Sequence, residues 1–176
     1  MPTRPRLVAG ARVERSKCVG PHDVVTFDVS GVTVSFQAVD VDSKMRPSLS
    51  LRVPSGVDVA LESTTVLVSR PGASEQTRRI PRVRVYRTRD GRDEIIDLPP
   101  TERIAGATLP MRHAPSKTYH RGVYVDVDTP LDVPDAPGTT LSVRYPRLVI
   151  NGRPVDMPAL SVRRARWQTA FMPLNC

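Results

Sequence analysis

The sequence predicts an all-β protein, an antiparallel β-sandwich of roughly eight to ten short strands with little or no helix. Three observations favour this class. Val and Leu alternate with polar residues in short runs along most of the 176-residue chain. Turn-forming residues, drawn from 18 prolines and 10 glycines, separate the runs at spacings of about 8 to 12 residues. Asn-Gly and Asp-Gly pairs join two sets of runs, and such pairs are typical of tight hairpins.

A weak strand around Leu7–Val13 opens the predicted fold, and a clear hairpin follows at Val25–Phe36. Ser30 and Gly31 form its two-residue turn. Counting outward from this turn gives cross-strand pairs that are all apolar, Val29 with Val32, Phe27 with Val34 and Val25 with Phe36. One face of the hairpin is therefore expected to be buried and the other to be polar.

Alternating apolar residues predict further strands at Leu49–Val53, Val57–Leu61, Val66–Val68, Val123–Val127 and Leu141–Tyr145. Only the segment Pro99–Gly106 favours a helical turn, with Thr101 as its candidate cap and Gly106 as its candidate stop. Short strands at this spacing predict a β-sandwich with immunoglobulin-like or Greek-key connections.

A strongly basic segment, Arg78–Arg89, is joined by Asp90-Gly91 to the acidic segment Arg92–Leu98, which predicts another tight hairpin. A basic ribbon can enter a nucleic-acid groove, with Tyr86 stacking on a base. The register favours a different interpretation, because it pairs most of these residues with one another: Arg87 with Glu94, Arg84 with Asp97, Thr88 with Asp93, Val83 with Leu98 and Val85 with Ile96. We therefore expect a solvated, self-paired hairpin, with contact to an acidic partner as the alternative.

The last hairpin turns at Asn151-Gly152, which sets Ile150 opposite Arg153 and Leu148 opposite Val155. Pro154 and Pro158 fall on the non-hydrogen-bonded side of this pair, so they would deprive a further strand of donors. Arg153–Val162 should therefore lie at a sheet edge or next to a bulge. Pro146 lies opposite Met157, where the ladder needs a donor, so pairing should end or bulge there after about four residues on each side.

An exposed edge of this kind is a candidate partner-binding site. The candidate residues lie along it and just after it, at Arg153, Pro154, Pro158, Arg163, Arg164, Arg166 and Trp167. Arginine beside tryptophan is the composition of interface hot spots. A core position for Trp167, the only tryptophan of the chain, is the alternative.

The net charge of +8 favours contact with anionic surfaces, an attraction that salt weakens. Only three of the 26 basic residues are lysine, so part of this charge is expected to reflect coding bias towards arginine. No apolar run reaches the 18 residues of a membrane span, and Met1–Arg6 does not resemble a signal peptide. The chain is therefore expected to be either cytosolic or the mature form of an exported protein.

Cys18 and Cys176 lie near opposite ends of the chain, and the termini of a domain are often close in space. They are the candidate disulfide, which favours a periplasmic or extracellular location; two free thiols are the alternative. Their spacing lacks the Cys, Trp, Cys arrangement of antibody domains, so the generic resemblance to immunoglobulin-like sandwiches extends to no particular family.

The chemical motifs are weak. Asp126, Asp128, Asp132 and Asp135 are weak candidates for a Ca²⁺ site, but their spacing matches no EF-hand. His113 and His120 lack the companion ligands of a zinc site. No nucleophile elbow, phosphate loop or zinc-protease motif is present in the sequence, so we expect no catalytic residue, metal or cofactor.

These observations predict a non-enzymatic, extracytoplasmic bacterial β-sandwich that binds or scaffolds a protein or envelope partner. The alternative is a basic nucleic-acid-binding module in the cytosol, and the third is a small metal-dependent enzyme. Residues 1–176 are expected to form one domain. A partial likeness between Val39–Ser43 and Val125–Thr129 leaves open two repeated units, about 1–98 and 99–176.

Overall fold

A computed structural model describes residues 12–15, 23–41, 44–89, 92–107, 123–129 and 140–163. These residues form fifteen strands and no helix, which confirms the predicted all-β antiparallel class. The strands are β1 (Arg12–Arg15), β2 (Asp23–Val29), β3 (Val32–Val41), β4 (Lys44–Val53), β5 (Asp58–Leu61), β6 (Thr65–Ser69), β7 (Gln76–Arg79), β8 (Val83–Arg89), β9 (Arg92–Leu98), β10 (Ile104–Ala105), β11 (Val123–Val127), β12 (Thr140–Arg144), β13 (Leu148–Ile150), β14 (Arg153–Val155) and β15 (Leu160–Arg163).

The larger layer is a continuous seven-stranded sheet in the order β1-β2-β3-β4-β11-β8-β9. Its first clear hairpin has the predicted register, with Val29 opposite Val32 and Val25 opposite Phe36. The turn residues Ser30 and Gly31 both have positive φ, 50° and 86°, as a type I′ turn requires. Strand β11 lies between β4 and β8, so this sheet also depends on pairings between distant parts of the chain.

The smaller layer consists of two four-stranded sheets, β10-β5-β13-β14 and β15-β12-β6-β7. The two sheets are joined strand by strand, because β5 leads into β6, β12 into β13 and β14 into β15 within a few residues. The layer is therefore one four-strand-wide arrangement that is interrupted across its middle. This interruption accounts for three of the fifteen described strands, and so for part of the excess over the predicted eight to ten.

The interruption coincides with prolines in the last hairpin. Leu148 pairs with Val155 on one side of it and Val143 with Leu160 on the other, so the register is unchanged across the gap. Residues 144–147 do not pair with 156–159, which confirms the predicted stop at Pro146, although three residues rather than four are paired on each side of the turn. Both β14 and β15 lie at sheet edges, as predicted for Arg153–Val162.

On the other side of β13, the chain that leads from β5 into β6 contains two extra residues, which form a bulge. Leu61 pairs with Leu148 but Leu67 pairs with Arg144, so five residues on one strand face three on the other. Glu62 and Arg147 bind each other at this point: the Glu62 N–H donates to the Arg147 carbonyl at 2.9 Å, and the Arg147 guanidinium donates to both carboxylate oxygens of Glu62. The bulge is therefore held by backbone and side-chain hydrogen bonds together.

Alternate residues of both layers meet in one hydrophobic cluster, whose largest fully buried side chains are Phe36, Leu49, Ile80, Leu141, Leu148 and Leu160. Tyr145 is also buried, packs edge-on against Phe36 at 6.3 Å between ring centroids, and lies with its hydroxyl 3.2 Å from that of Thr129. Burial raises the pKa of Tyr145 far above its usual value, so the phenol stays neutral and its hydrogen bond satisfies a polar group inside the core.

The helical turn predicted at Pro99–Gly106 is wrong. The segment makes a single turn, in which the Glu102 N–H donates to the Pro99 carbonyl at 3.0 Å, and then enters β10. Gly106 is required here by space, since a Cβ atom would lie 1.9 Å from the Pro54 carbonyl oxygen. The glycine that was expected to end a helix instead permits close approach of two backbones.

The division into one domain or two repeats stays a prediction, as does immunoglobulin-like connectivity. The two candidate repeats have different surroundings: β3 and β4 pair with each other, whereas β11 and β12 belong to different sheets. No helix in the described part of the chain is long and apolar enough to cross a membrane.

Candidate binding edge

The hairpin of β8 and β9 forms one end of the seven-stranded sheet. Its register is the predicted one, with Val83 opposite Leu98, Arg84 opposite Asp97 and Arg87 opposite Glu94. Two residues separate the flanking pair Arg89 and Arg92, and such a turn fixes the ladder because the pair next to it exchanges both backbone hydrogen bonds.

Most of the described charges on this hairpin are paired, as the sequence predicts. Arg87 donates to Glu94 at 2.9 Å, and Arg84 donates to Asp97 at 3.3 Å. Arg82 joins Asp97 at 2.9 Å to Asp128 at 3.3 Å. Hydrogen bonding to Tyr86 and to Asp97 raises the pKa of Arg84. These guanidinium groups are therefore committed to carboxylates of their own sheet.

A row of larger side chains runs across the outer face of the same sheet. The register places Arg52, Tyr124, Tyr86 and Ile95 side by side on β4, β11, β8 and β9. The two tyrosine rings are 5.4 Å apart and edge-to-face, a favourable aromatic arrangement. The Tyr124 hydroxyl donates to Asp126 at 3.2 Å, while burial raises the pKa of that carboxyl group. The two half-buried tyrosines thus pack against each other, and Tyr86 lies next to Ile95.

Ile95 is 63% exposed and is the only large hydrophobic side chain exposed to this degree among the described residues. It lies in the middle of β9, and its neighbour Ile96 faces the core side. Alternation can bury only one of two adjacent isoleucines in a strand. That dipeptide is the sequence signal of this exposed position, which is not among the predicted binding residues.

The backbone of β9 is also open. Because Glu94, Ile96 and Leu98 direct their backbone groups towards β8, Asp93, Ile95 and Asp97 direct theirs outward. No strand among the described residues pairs with this outer side. Seven residues long and without proline, β9 is the longest edge strand of the described sheets. Its outward donors and acceptors have no strand partner in the described part of the chain, and they lie beside an exposed apolar side chain.

The other described edges are shorter or poor in donors. In β14 the register directs the Pro154 nitrogen outward, where it has no hydrogen to donate. In β7 all four residues are exposed, and Arg78 is held by its hydrogen bond to Gln76 at 2.7 Å. β7 is also shorter than β9 and carries no apolar side chain. The structure thus distinguishes β9 from the edges at β14 and β7.

The predicted partner-binding residues fall partly on the described edge. Arg153 and Pro154 are exposed on β14, Pro158 is half-buried beyond it, and Arg163 ends β15. Other members of the prediction lie outside the described residues, namely Arg164, Arg166, Trp167 and the candidate disulfide of Cys18 and Cys176. Their roles stay predictions.

The candidate Ca²⁺ ligands are also divided. Asp126 accepts from Tyr124 and Asp128 is paired with Arg82, while Asp132, Asp135, His113 and His120 lie outside the described residues. Within the described part of the chain, no three His, Cys, Asp or Glu residues come together as a metal site would require.

A shallow cleft of about 460 Å³ lies over β5 and β13. Its two carboxylates already have partners, because Asp58 pairs with Arg103 and Glu62 with Arg147. Asn151 borders the cleft, accepts a hydrogen bond from the Asp58 N–H at 2.8 Å and donates its own N–H to the Asp58 carbonyl at 3.0 Å. These contacts join the turn to β5 and give the cleft a structural role.

Comparison with protein-family models, with curated proteins and with solved structures finds no match for this chain. The identification of β9 as the candidate binding edge therefore depends only on its geometry in this structure.

Proposed function

We propose that this protein is a non-enzymatic, extracytoplasmic bacterial β-sandwich that binds a protein partner by adding a strand of the partner to β9. Strand addition uses the main-chain groups of an open sheet edge for affinity and side-chain contacts for specificity. The observation that carries the proposal is Ile95, 63% exposed at the centre of the longest described edge.

The surroundings of Ile95 support this proposal. A partner strand beside β9 would complete the bonding of Asp93, Ile95 and Asp97, and a side chain placed opposite Ile95 would extend the row that contains Tyr86. Tyr86 and Ile95 would contribute apolar contact surface to such a side chain, and the fold would not have to change. The β8–β9 ion pairs hold the hairpin in place before the partner arrives, which reduces the entropy lost on binding.

Selection of displayed random decapeptides on the intact protein tests this function. We expect the selected peptides to slow hydrogen exchange of the backbone amides of Asp93, Ile95 and Asp97, because those amides become bonded. Ile95→Pro should abolish binding, since it removes both the central donor and the apolar side chain. Pro154→Thr, on the other edge, should leave the protection of these three β9 amides unchanged.

Two results would overturn the proposal. One is that selected peptides bind Ile95→Pro as tightly as the unaltered protein, and the other is that they protect a different strand. A folding control by circular dichroism accompanies each variant, so that lost binding is compared only between folded proteins.

The pairing of Arg82, Arg84 and Arg87 with carboxylates favours a protein partner over nucleic acid, because the positive charge that would attract phosphate is already balanced within the sheet. A salt titration on duplex DNA and single-stranded RNA separates the two functions. Nucleic-acid binding predicts that log K falls linearly and steeply with log salt concentration, whereas the proposed function predicts no specific retention.

The extracytoplasmic location is part of the proposal and rests on the candidate disulfide in the sequence. Mass mapping under non-reducing conditions, on protein recovered from its native host, should find Cys18 linked to Cys176. Free thiols at both positions would remove this support for export. They would not affect the proposed binding at β9, which the peptide selection tests separately.

A further inference from the structure

We infer that the partner segment is a basic, extended strand from a different protein, with two adjacent apolar residues flanked on both sides by Lys or Arg. This inference rests on the proposed strand addition at β9 and assigns the chemistry of what is added. It follows from four consecutive residues at the centre of the edge, Glu94, Ile95, Ile96 and Asp97.

The two isoleucines set the middle of the partner segment. Ile95 is exposed on the outer face, and Ile96 is half-buried at the margin of the core. Two successive residues of an added strand would lie beside them, one on each face of the sheet. An apolar residue at each position would cover Ile95 and would close the open margin beside Ile96, gaining hydrophobic burial on both faces.

The two carboxylates set the flanks. Arg87 donates to the Oε2 oxygen of Glu94 at 2.9 Å, and a carboxylate can accept about four hydrogen bonds. Asp97 takes one bond from an arginine on each oxygen and remains 42% exposed. A cation opposite each position would add a cross-strand pair, whereas an anion would meet like charge.

The same pattern disfavours a second copy of this chain. In the antiparallel register centred on Ile95, Glu94 of one copy lies opposite Ile96 of the other. In the two adjacent registers either Glu94 meets Glu94 or Ile95 meets Asp97. Since like charges opposite each other are destabilising and a carboxylate buried against isoleucine loses hydration, none of these registers pairs opposite charges at the centre. The occupant is therefore a different protein.

Two synthetic hexapeptides of equal length test the assignment, Thr-Lys-Val-Val-Lys-Thr and Thr-Glu-Val-Val-Glu-Thr, each with blocked termini. We expect the basic peptide to bind the intact protein about tenfold more tightly than the acidic one, because two attractive cross-strand pairs replace two repulsive ones. The difference should shrink as sodium chloride is raised, since these pairs are exposed to solvent.

The double variant Glu94→Gln and Asp97→Asn is the matched control. It keeps the shapes of both side chains and one acceptor oxygen of each but removes the charges. We expect the preference for the basic peptide to be lost or reversed in this variant, because Arg84 and Arg87 lose their carboxylate partners. If the charge-neutral variant unfolds, the salt dependence of the preference in the unaltered protein serves as the second measurement.

The outcomes separate this inference from the function on which it rests. Equal binding of both peptides to the unaltered protein, abolished in each case by Ile95→Pro, would overturn the charge assignment and leave strand addition at β9 standing. Binding of both peptides that is insensitive to Ile95→Pro would overturn strand addition itself. A dimer in sedimentation that Ile95→Pro dissociates would overturn the assignment to a different protein.

Discussion

Strands β9 and β14 both lie at the end of a sheet, and both follow a two-residue turn. They differ in what they present outward. In β9 the outward positions 93, 95 and 97 all carry an N–H group, whereas the outward position of β14 is Pro154, which carries none. The comparison shows that two edges of the same fold can differ in the donors on their open sides, and that the parity of the ladder decides which residues supply them.

Proline substitutions in β9 give the largest expected effect and test this parity directly. Ile96→Pro should lower the free energy of unfolding by about 3 kcal/mol or more, because it removes a hydrogen bond to β8. Ile95→Pro should cost less than about 1 kcal/mol, because its N–H points away from β8. Urea titration of both variants measures the difference. Equal losses would mean that the outward residues of β9 have been assigned incorrectly.

The turn that precedes β14 gives the next largest effect. Asn151 has φ 49° and its side chain accepts the Asp58 N–H, so Asn151→Ala should lower the free energy of unfolding by about 1–2 kcal/mol through backbone strain and the lost hydrogen bond. Asn151→Gly removes only the hydrogen bond and should cost less. A larger loss for glycine than for alanine, measured by urea titration, would contradict this account.

The bulge beside β13 should make the β14 side of the molecule sensitive to acid. The hydrogen bond from Arg147 lowers the pKa of Glu62 in the folded state. Its contribution to stability is therefore present above the unfolded value near 4.5 and is lost as the pH falls through the folded-state pKa. Arg147→Gln should lower the melting temperature slightly at pH 7 and leave it unchanged near pH 2. A decrease of equal size at both pH values would show that the charge pair is not responsible.

Pro154→Thr should have the smallest effect on stability, about 0.5 kcal/mol or less, because position 154 makes no ladder hydrogen bond. It gives β14 the outward donor that β9 already has. If the comparison is correct, the variant should bind extended peptides, or self-associate, at an edge where the unaltered protein does not. Sedimentation and peptide titration measure this gain, and no change in either would mean that donors alone do not make an edge receptive.

The registers of three hairpins could be predicted from the sequence because two-residue turns determine which residues lie opposite each other. That reasoning located the edge at Arg153–Val162 and the ion pairs of Arg84 and Arg87. The position of β11 between β4 and β8 could not be predicted, because it depends on contacts between distant segments. The exposure of Ile95 was missed for a related reason: whether an apolar residue in a strand is buried depends on which layer covers that face.

The gap in the last hairpin constrains how its length can vary. Because the register is the same on both sides, residues 144–147 and 156–159 are equal in number. One residue added to a single segment would turn Leu160 and its alternate neighbours from the core to the solvent. Insertions and deletions there should be tolerated only in matched pairs, so related chains should change the lengths of these two segments together.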